Sequence, residues 1–157
     1  MTGLRPIVEL WMSEFMLVAF DQVINEAPRL RYMSGGQVKV PVVFKAGFGF
    51  AAGWAGQHSN CIYHTMMGIP GLKVALPSTP ADAKGLMAAA IRDDNPVVYL
   101  HHYMLTLDKG EVPDGVAKNF PAVLCMAAAN RAEICGKNPV FPALIPAVQH
   151  LAACLID

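Results

Sequence analysis

Charge is what this sequence has least of. Only 15% of its 157 residues are Asp, Glu, Lys or Arg, where an average soluble domain carries about 25%. Twelve basic and twelve acidic residues cancel and nowhere form a block of one sign. The electrostatic footprint that nucleic acid or anionic lipid would need is therefore missing. The ligands to expect are small molecules and protein, with no nucleic acid and no membrane among the partners.

Cysteine is sparse as well. Cys61, Cys125, Cys135 and Cys154 show no CxxC spacing and fall short of the density of a disulfide scaffold, which argues against a zinc site and fits reduced thiols in an intracellular protein. Uninterrupted apolar runs are short. The longest apolar stretch, Phe141 to Ile156, is broken by Pro142, Pro146, Gln149 and His150, and does not reach the ~20 residues of a membrane helix. Met1 to Pro6 holds no apolar signal core, so the chain reads as soluble and without a targeting segment.

What the chain does have is apolar surface, 54% hydrophobic residues, more than one domain of this length normally needs. Part of that excess should be buried against partners. Short apolar runs alternate with helical stretches: Pro6 to Leu10, a helix over about Ser13 to Tyr32, Pro41 to Lys45, a glycine-rich loop, a helix after His58, then Leu72 to Leu76. A helix beginning at Thr79-Pro80-Ala81-Asp82 and ending near Arg92 precedes the run Pro96 to Leu100. Thr79 suits a cap, Pro80 the first helical position and Asp82 the positive end of the dipole. Such alternation implies an α/β fold, a doubly wound, mostly parallel sheet with helices on both faces. Pro28 lies inside the long helix and cannot donate to the Ile24 carbonyl, which predicts a kink or an early end. After about Val116 the texture changes to two alanine-rich stretches around Gly136-Lys137-Asn138-Pro139, a helical tail.

The loop Lys45-Ala46-Gly47-Phe48-Gly49-Phe50-Ala51-Ala52-Gly53 superficially offers a dinucleotide its pyrophosphate cradle. The match is weak, because the next strand ends Val74-Ala75-Leu76-Pro77 without the acid that would hold a ribose.

Several ordered blocks point elsewhere: Met1-Thr2-Gly3-Leu4-Arg5-Pro6, Phe20-Asp21-Gln22-Val23-Ile24-Asn25, Arg31-Tyr32-Met33-Ser34-Gly35-Gly36-Gln37, Gln57-His58-Ser59 and Pro70-Gly71-Leu72-Lys73-Val74. With Asp82-Ala83-Lys84-Gly85-Leu86 and Ala90-Ile91-Arg92-Asp93-Asp94-Asn95-Pro96-Val97, they resemble the beta subunit of pyruvate dehydrogenase and its acetoin dehydrogenase relatives. The resemblance covers residues 1–115 and leaves 116–157 unmatched, in place of the family's second domain. It implies the pyrimidine-binding domain of a thiamine-diphosphate enzyme, catalysing oxidative decarboxylation of a pyruvate-like 2-oxo acid and acyl transfer to a lipoyl carrier. An alpha subunit would hold the diphosphate and magnesium, and a second beta chain and a lipoyl-bearing acyltransferase would complete the assembly. Bacterial cytoplasm or mitochondrial matrix is the implied location. The family's activating glutamate belongs to a segment that precedes the first of these blocks, where this chain begins, and neither Glu9 nor Glu14 stands at its position. The expectation is a subunit inactive alone, or else a truncated, non-catalytic homologue that binds an alpha-like or complex-core partner.

Carried over position by position, the resemblance implies that Phe15 stacks on the aminopyrimidine ring, that Trp11 contacts it, and that His58 is the active-site histidine. The plain alternative makes Phe15 and Trp11 core residues of the Leu10 to Phe20 stretch, and His58 a solvated loop residue. It also implies a structural potassium site at Val42, Ala90, Ile91, Asp93 and Asn95, where a helix end presents carbonyls at the negative pole of its dipole. A water-filled turn is the alternative, and both stand open. His64, His101, His102 and His150 lie outside the matching blocks.

Overall fold

The structure, a computed structural model, describes residues 2–50 and 53–115. The tail expected over 116–157 lies outside the described residues.

Four strands form one wholly parallel sheet: β1 (Ile7–Met12), β2 (Val43–Phe48), β3 (Lys73–Ala75) and β4 (Val97–His102), in the order β1-β2-β4-β3. Side chains alternate across it with the period of two that a strand dictates. Phe44, Ala46 and Phe48 of β2, Val98 and Leu100 of β4 and Val74 of β3 face one layer, where Met16, Val23, Met66 and Leu72 bury against them. Val43, Val97, Tyr99 and Ala75 face the other, against Leu86 and Ala90 of α3 (Pro80–Arg92). Helical segments thus cover both faces, and the central strands are buried except at Lys45 of β2 and His101 of β4, which are half-buried. Met16, Val23, Met66, Val98 and Leu100 are completely buried, each contributing roughly 1.5–3 kcal/mol of transfer free energy.

The long helix expected over Ser13 to Tyr32 is three pieces. A 3-10 turn spans Ser13–Leu17, a π-helical segment Asp21–Glu26, and α1 Ala27–Met33. Proline accounts for the last break. The Ala27 amide donates to the Gln22 carbonyl, five residues back, and Pro28 then sits in the first turn of α1, where its missing N–H costs nothing. Gly71, at φ 86°, is where the chain entering β3 presses on the Pro28 carbonyl, with no room for a Cβ. The helix expected after His58 is short, a 3-10 turn at Gly56–His58 and α2 at His64–Met67. The α3 boundaries follow the local signals: Thr79 Oγ1 accepts from the Asp82 amide at 3.1 Å, and Pro80 is the first helical residue.

Candidate functional site

Three strands deliver side chains to one end of the sheet. β1 runs into the turn that carries Phe15, β2 into the loop that carries His58, and β4 into Tyr103. In open parallel sheets the carboxyl ends of the strands are where ligands bind.

The path into that end is strained on two sides. Between Glu9 and Met12, β1 spends one residue more than β2 does between Lys45 and Gly47, a bulge that re-aims the strand. Trp11 lies within it at φ 56°, a left-handed conformation that a bulky residue rarely adopts. Ala55, just before His58, has φ 59° and ψ −171°, a region essentially reserved for glycine. The two non-glycine residues with positive φ among those described thus flank the site.

The ring of Phe15 meets that of His58 edge-on, with centroids 5.5 Å apart at 74°. Phe15 is 44% exposed. His58 is half-buried, and its Nδ1 is fully covered without a hydrogen-bond partner among the described residues. Trp11 is exposed and is linked to this end through its backbone, its carbonyl accepting from the Tyr103 hydroxyl at 3.5 Å. Tyr103 in turn stands edge-on to Trp54, centroids 4.8 Å apart.

Glu14 lies beside Phe15 and is 9% exposed. Its Oε1 accepts from the Asn60 amide at 2.6 Å and its Oε2 from the Ser13 hydroxyl at 3.2 Å. Around it, burial first and the Glu14 charge second push the Cys61 thiol up to about 11. The Tyr103 phenol is pushed up to about 12 by burial, then by Glu14 and Glu9. His102 is held below the usual histidine range by burial and then by His101. Its Nδ1 accepts from the Met104 amide at 3.2 Å, which requires that nitrogen to be unprotonated.

The five residues expected around potassium gather at the opposite end, before β2 and β4 and at the end of α3. Their oxygens have protein donors. The Val42 carbonyl accepts from Val97 at 3.0 Å and the Ala90 carbonyl from Asp93 at 3.3 Å. Arg5 Nη1 donates to the Ile91 and Asp93 carbonyls at 3.1 and 2.8 Å, and Arg31 to Asn95 Oδ1 at 2.9 Å. Arg5 thus brings positive charge to the helix terminus that favours it. Each carbonyl keeps a second lone pair, so acceptor capacity for a monovalent cation is left. The Asp93 carboxylate is committed to Lys73 and Asn95.

Sequence reasoning named Phe15 and His58 but missed what joins them. Glu14 carried a signal, a lone acid within the apolar stretch from Leu10 to Phe20. Asn60, Ala55, Trp54 and Tyr103 carried none, since their parts depend on contacts between distant segments.

Comparison with known proteins places these features in a family. The pyruvate dehydrogenase E1 component subunit beta of Rhizobium meliloti (strain 1021) is 53% identical over 113 residues, covering 72% of this chain and 25% of that protein. The acetoin:2,6-dichlorophenolindophenol oxidoreductase subunit beta of Cupriavidus necator is 50% identical over 115 residues, 72% of this chain and 33% of that protein. The mitochondrial pyruvate dehydrogenase E1 component subunit beta of Caenorhabditis elegans is 52% identical over 103 residues, 66% and 29%. The chain therefore spans between a quarter and a third of the length of these relatives. The model of the transketolase pyrimidine-binding domain matches residues 1–106, and with these relatives beside it the chain belongs to that family.

Proposed function

We propose that this chain supplies the pyrimidine-binding half of a thiamine-diphosphate site in a 2-oxo acid dehydrogenase, as a beta-type subunit acting on pyruvate or, next to it, acetoin. One observation supports the reading: at the strand ends Phe15, 44% exposed, stands at 74° to the ring of His58, whose covered Nδ1 has no hydrogen-bond partner among the described residues. A flat, partly aromatic heterocycle suits an exposed aromatic ring.

The chemistry of thiamine diphosphate, when bound, is to provide a nucleophilic carbon for the 2-oxo acid and to delocalise the electron pair left by decarboxylation. The part of this chain is to seat and orient. Phe15 stacks on the aminopyrimidine, Trp11 contacts it from the bulge, and His58 holds or passes a proton beside it.

The segments that follow β1 and β2 expose Phe15, Leu17, Val18, Phe50 and Trp54. Exposed apolar side chains grouped at the rim of a site mark a place for a partner. In this reading an alpha subunit covers them and brings the diphosphate and magnesium, so the chain alone does not turn over. A second beta chain and a lipoyl-bearing acyltransferase complete the assembly, and potassium supports the Arg5 end structurally. Bacterial cytoplasm and mitochondrial matrix are the matching locations.

Copurification tests the proposal. The full chain and a bacterial pyruvate dehydrogenase alpha subunit are mixed with magnesium and thiamine diphosphate and passed through gel filtration, and retained cofactor is counted by thiochrome fluorescence. Cofactor should stay with the mixture and with neither chain separately. A complex that retains none would favour the non-catalytic scaffold, and no complex at all would defeat the subunit reading.

A further inference from the structure

We infer that Glu14 is a positioning residue: its carboxylate ties the turn that carries Phe15 to the loop that carries His58 and thereby fixes the two rings against each other. The function of the rings rests on the reading above, whereas the tether does not.

A carboxylate is seldom buried unless its oxygens find donors, because desolvation of the charge is otherwise uncompensated. Glu14 is 9% exposed and both of its oxygens have partners. The stronger partner is the Asn60 backbone amide at 2.6 Å. Asn60 follows directly on His58-Ser59 and is held from two further sides: its Nδ2 donates to the Gly56 carbonyl at 2.7 Å, and its own carbonyl accepts from the Gly49 amide at 3.0 Å. Gly56 to Asn60 therefore closes into a small loop around His58. Of these ties, Glu14 is the one that reaches across to the Ser13–Leu17 turn.

The need for such a tie follows from the local backbone. Ala55 enters the His58 loop in a conformation it disfavours, and Trp11 enters the Phe15 turn in another. Strained segments of this kind hold their shape only when surrounding contacts over-determine them. A hydrogen bond to a charged acceptor contributes more than a neutral one and is directional. It is therefore suited to set one loop against the other.

Nuclear magnetic resonance on the full chain, without cofactor, tests this. In the wild type, cross-relaxation should connect the Phe15 ring protons with the His58 ring protons. The Asn60 amide should exchange with solvent on the order of tenfold more slowly than amides in the same loop that lack an acceptor. Glu14→Ala should abolish the Phe15–His58 cross-peaks while exchange protection in β2 and β4 is kept. Glu14→Gln retains an oxygen for the Asn60 amide and should restore the cross-peaks. A fast-exchanging Asn60 amide in the wild type, or cross-peaks that persist in Glu14→Ala, would overturn the inference. The wild-type exchange measurement decides it even if Glu14→Ala does not fold. Because no cofactor is present, the result is independent of whether thiamine diphosphate binds.

Discussion

Phe15 and His58 leave different strands and meet edge to face, their ring centroids 5.5 Å apart. The contact leaves Phe15 44% exposed, and exposed aromatic surface is suited to receiving a second flat ring. Phe15→Ala should therefore cost little stability, since the ring is 44% exposed. It should weaken thiamine diphosphate binding in the assembled complex about tenfold, the ~1.4 kcal/mol available from one aromatic contact. Equal affinity in the variant would separate Phe15 from cofactor binding.

Ala55 gives a prediction about strain. Its φ of 59° with ψ −171° belongs to a glycine-only region, and such residues store on the order of 1–3 kcal/mol. Ala55→Gly should raise stability by about 1 kcal/mol, read as a higher urea midpoint at unchanged slope. Ala55→Val should lower it.

The paired histidines at the end of β4 predict how stability responds to acid. His102 is held below the usual range by burial and then by His101; His101 is held down by burial and then by Lys45. A histidine whose folded value is depressed leaves the unfolded state with the greater proton affinity as pH falls through about 6.5. Stability should thus be fully present above that pH and decline below it. Urea midpoints at pH 7.5 and 5.5 check the sign, and His102→Gln should remove part of the difference. A midpoint that rises on acidification would contradict the burial of these rings.

Some of this architecture was legible in the sequence. α3 was readable because Thr79, Pro80 and Asp82 are local signals, and capping depends on neighbours alone. β2 and β4 were readable because burial over most of both faces leaves largely apolar runs, whereas β1, at the sheet edge, exposes Ile7, Val8 and Glu9. The break in the long helix was half legible: Pro28 announced it, but the π-helical segment before it also depends on packing of Val23 into the core. The bulge at Trp11, the strained Ala55 and the reach of Glu14 to Asn60 arise from register and from contacts between distant segments. No local pattern carries them. For the same reason the sequence could name Phe15 and His58 separately while only the fold could bring them together.

Arg5 gives a prediction at the other end of the sheet. It bonds the Ile91 and Asp93 carbonyls and the Asp94 carboxylate at 2.6 Å. Arg5→Ala should lower the melting temperature through loss of these solvent-screened, charge-assisted hydrogen bonds. If the carbonyls of Val42, Ala90, Ile91 and Asp93 take a monovalent cation, potassium should recover part of that loss in thermal melts at constant ionic strength, and choline should not. Identical melts in the two salts would remove potassium from the proposal.

Isothermal titration of thiamine diphosphate into the chain premixed with an alpha subunit and magnesium tests the central claim most directly. Micromolar binding is expected for the mixture, weakened in Phe15→Ala and His58→Ala and missing from the chain by itself. Binding to the mixture that both substitutions leave untouched would place the cofactor elsewhere and contradict the account.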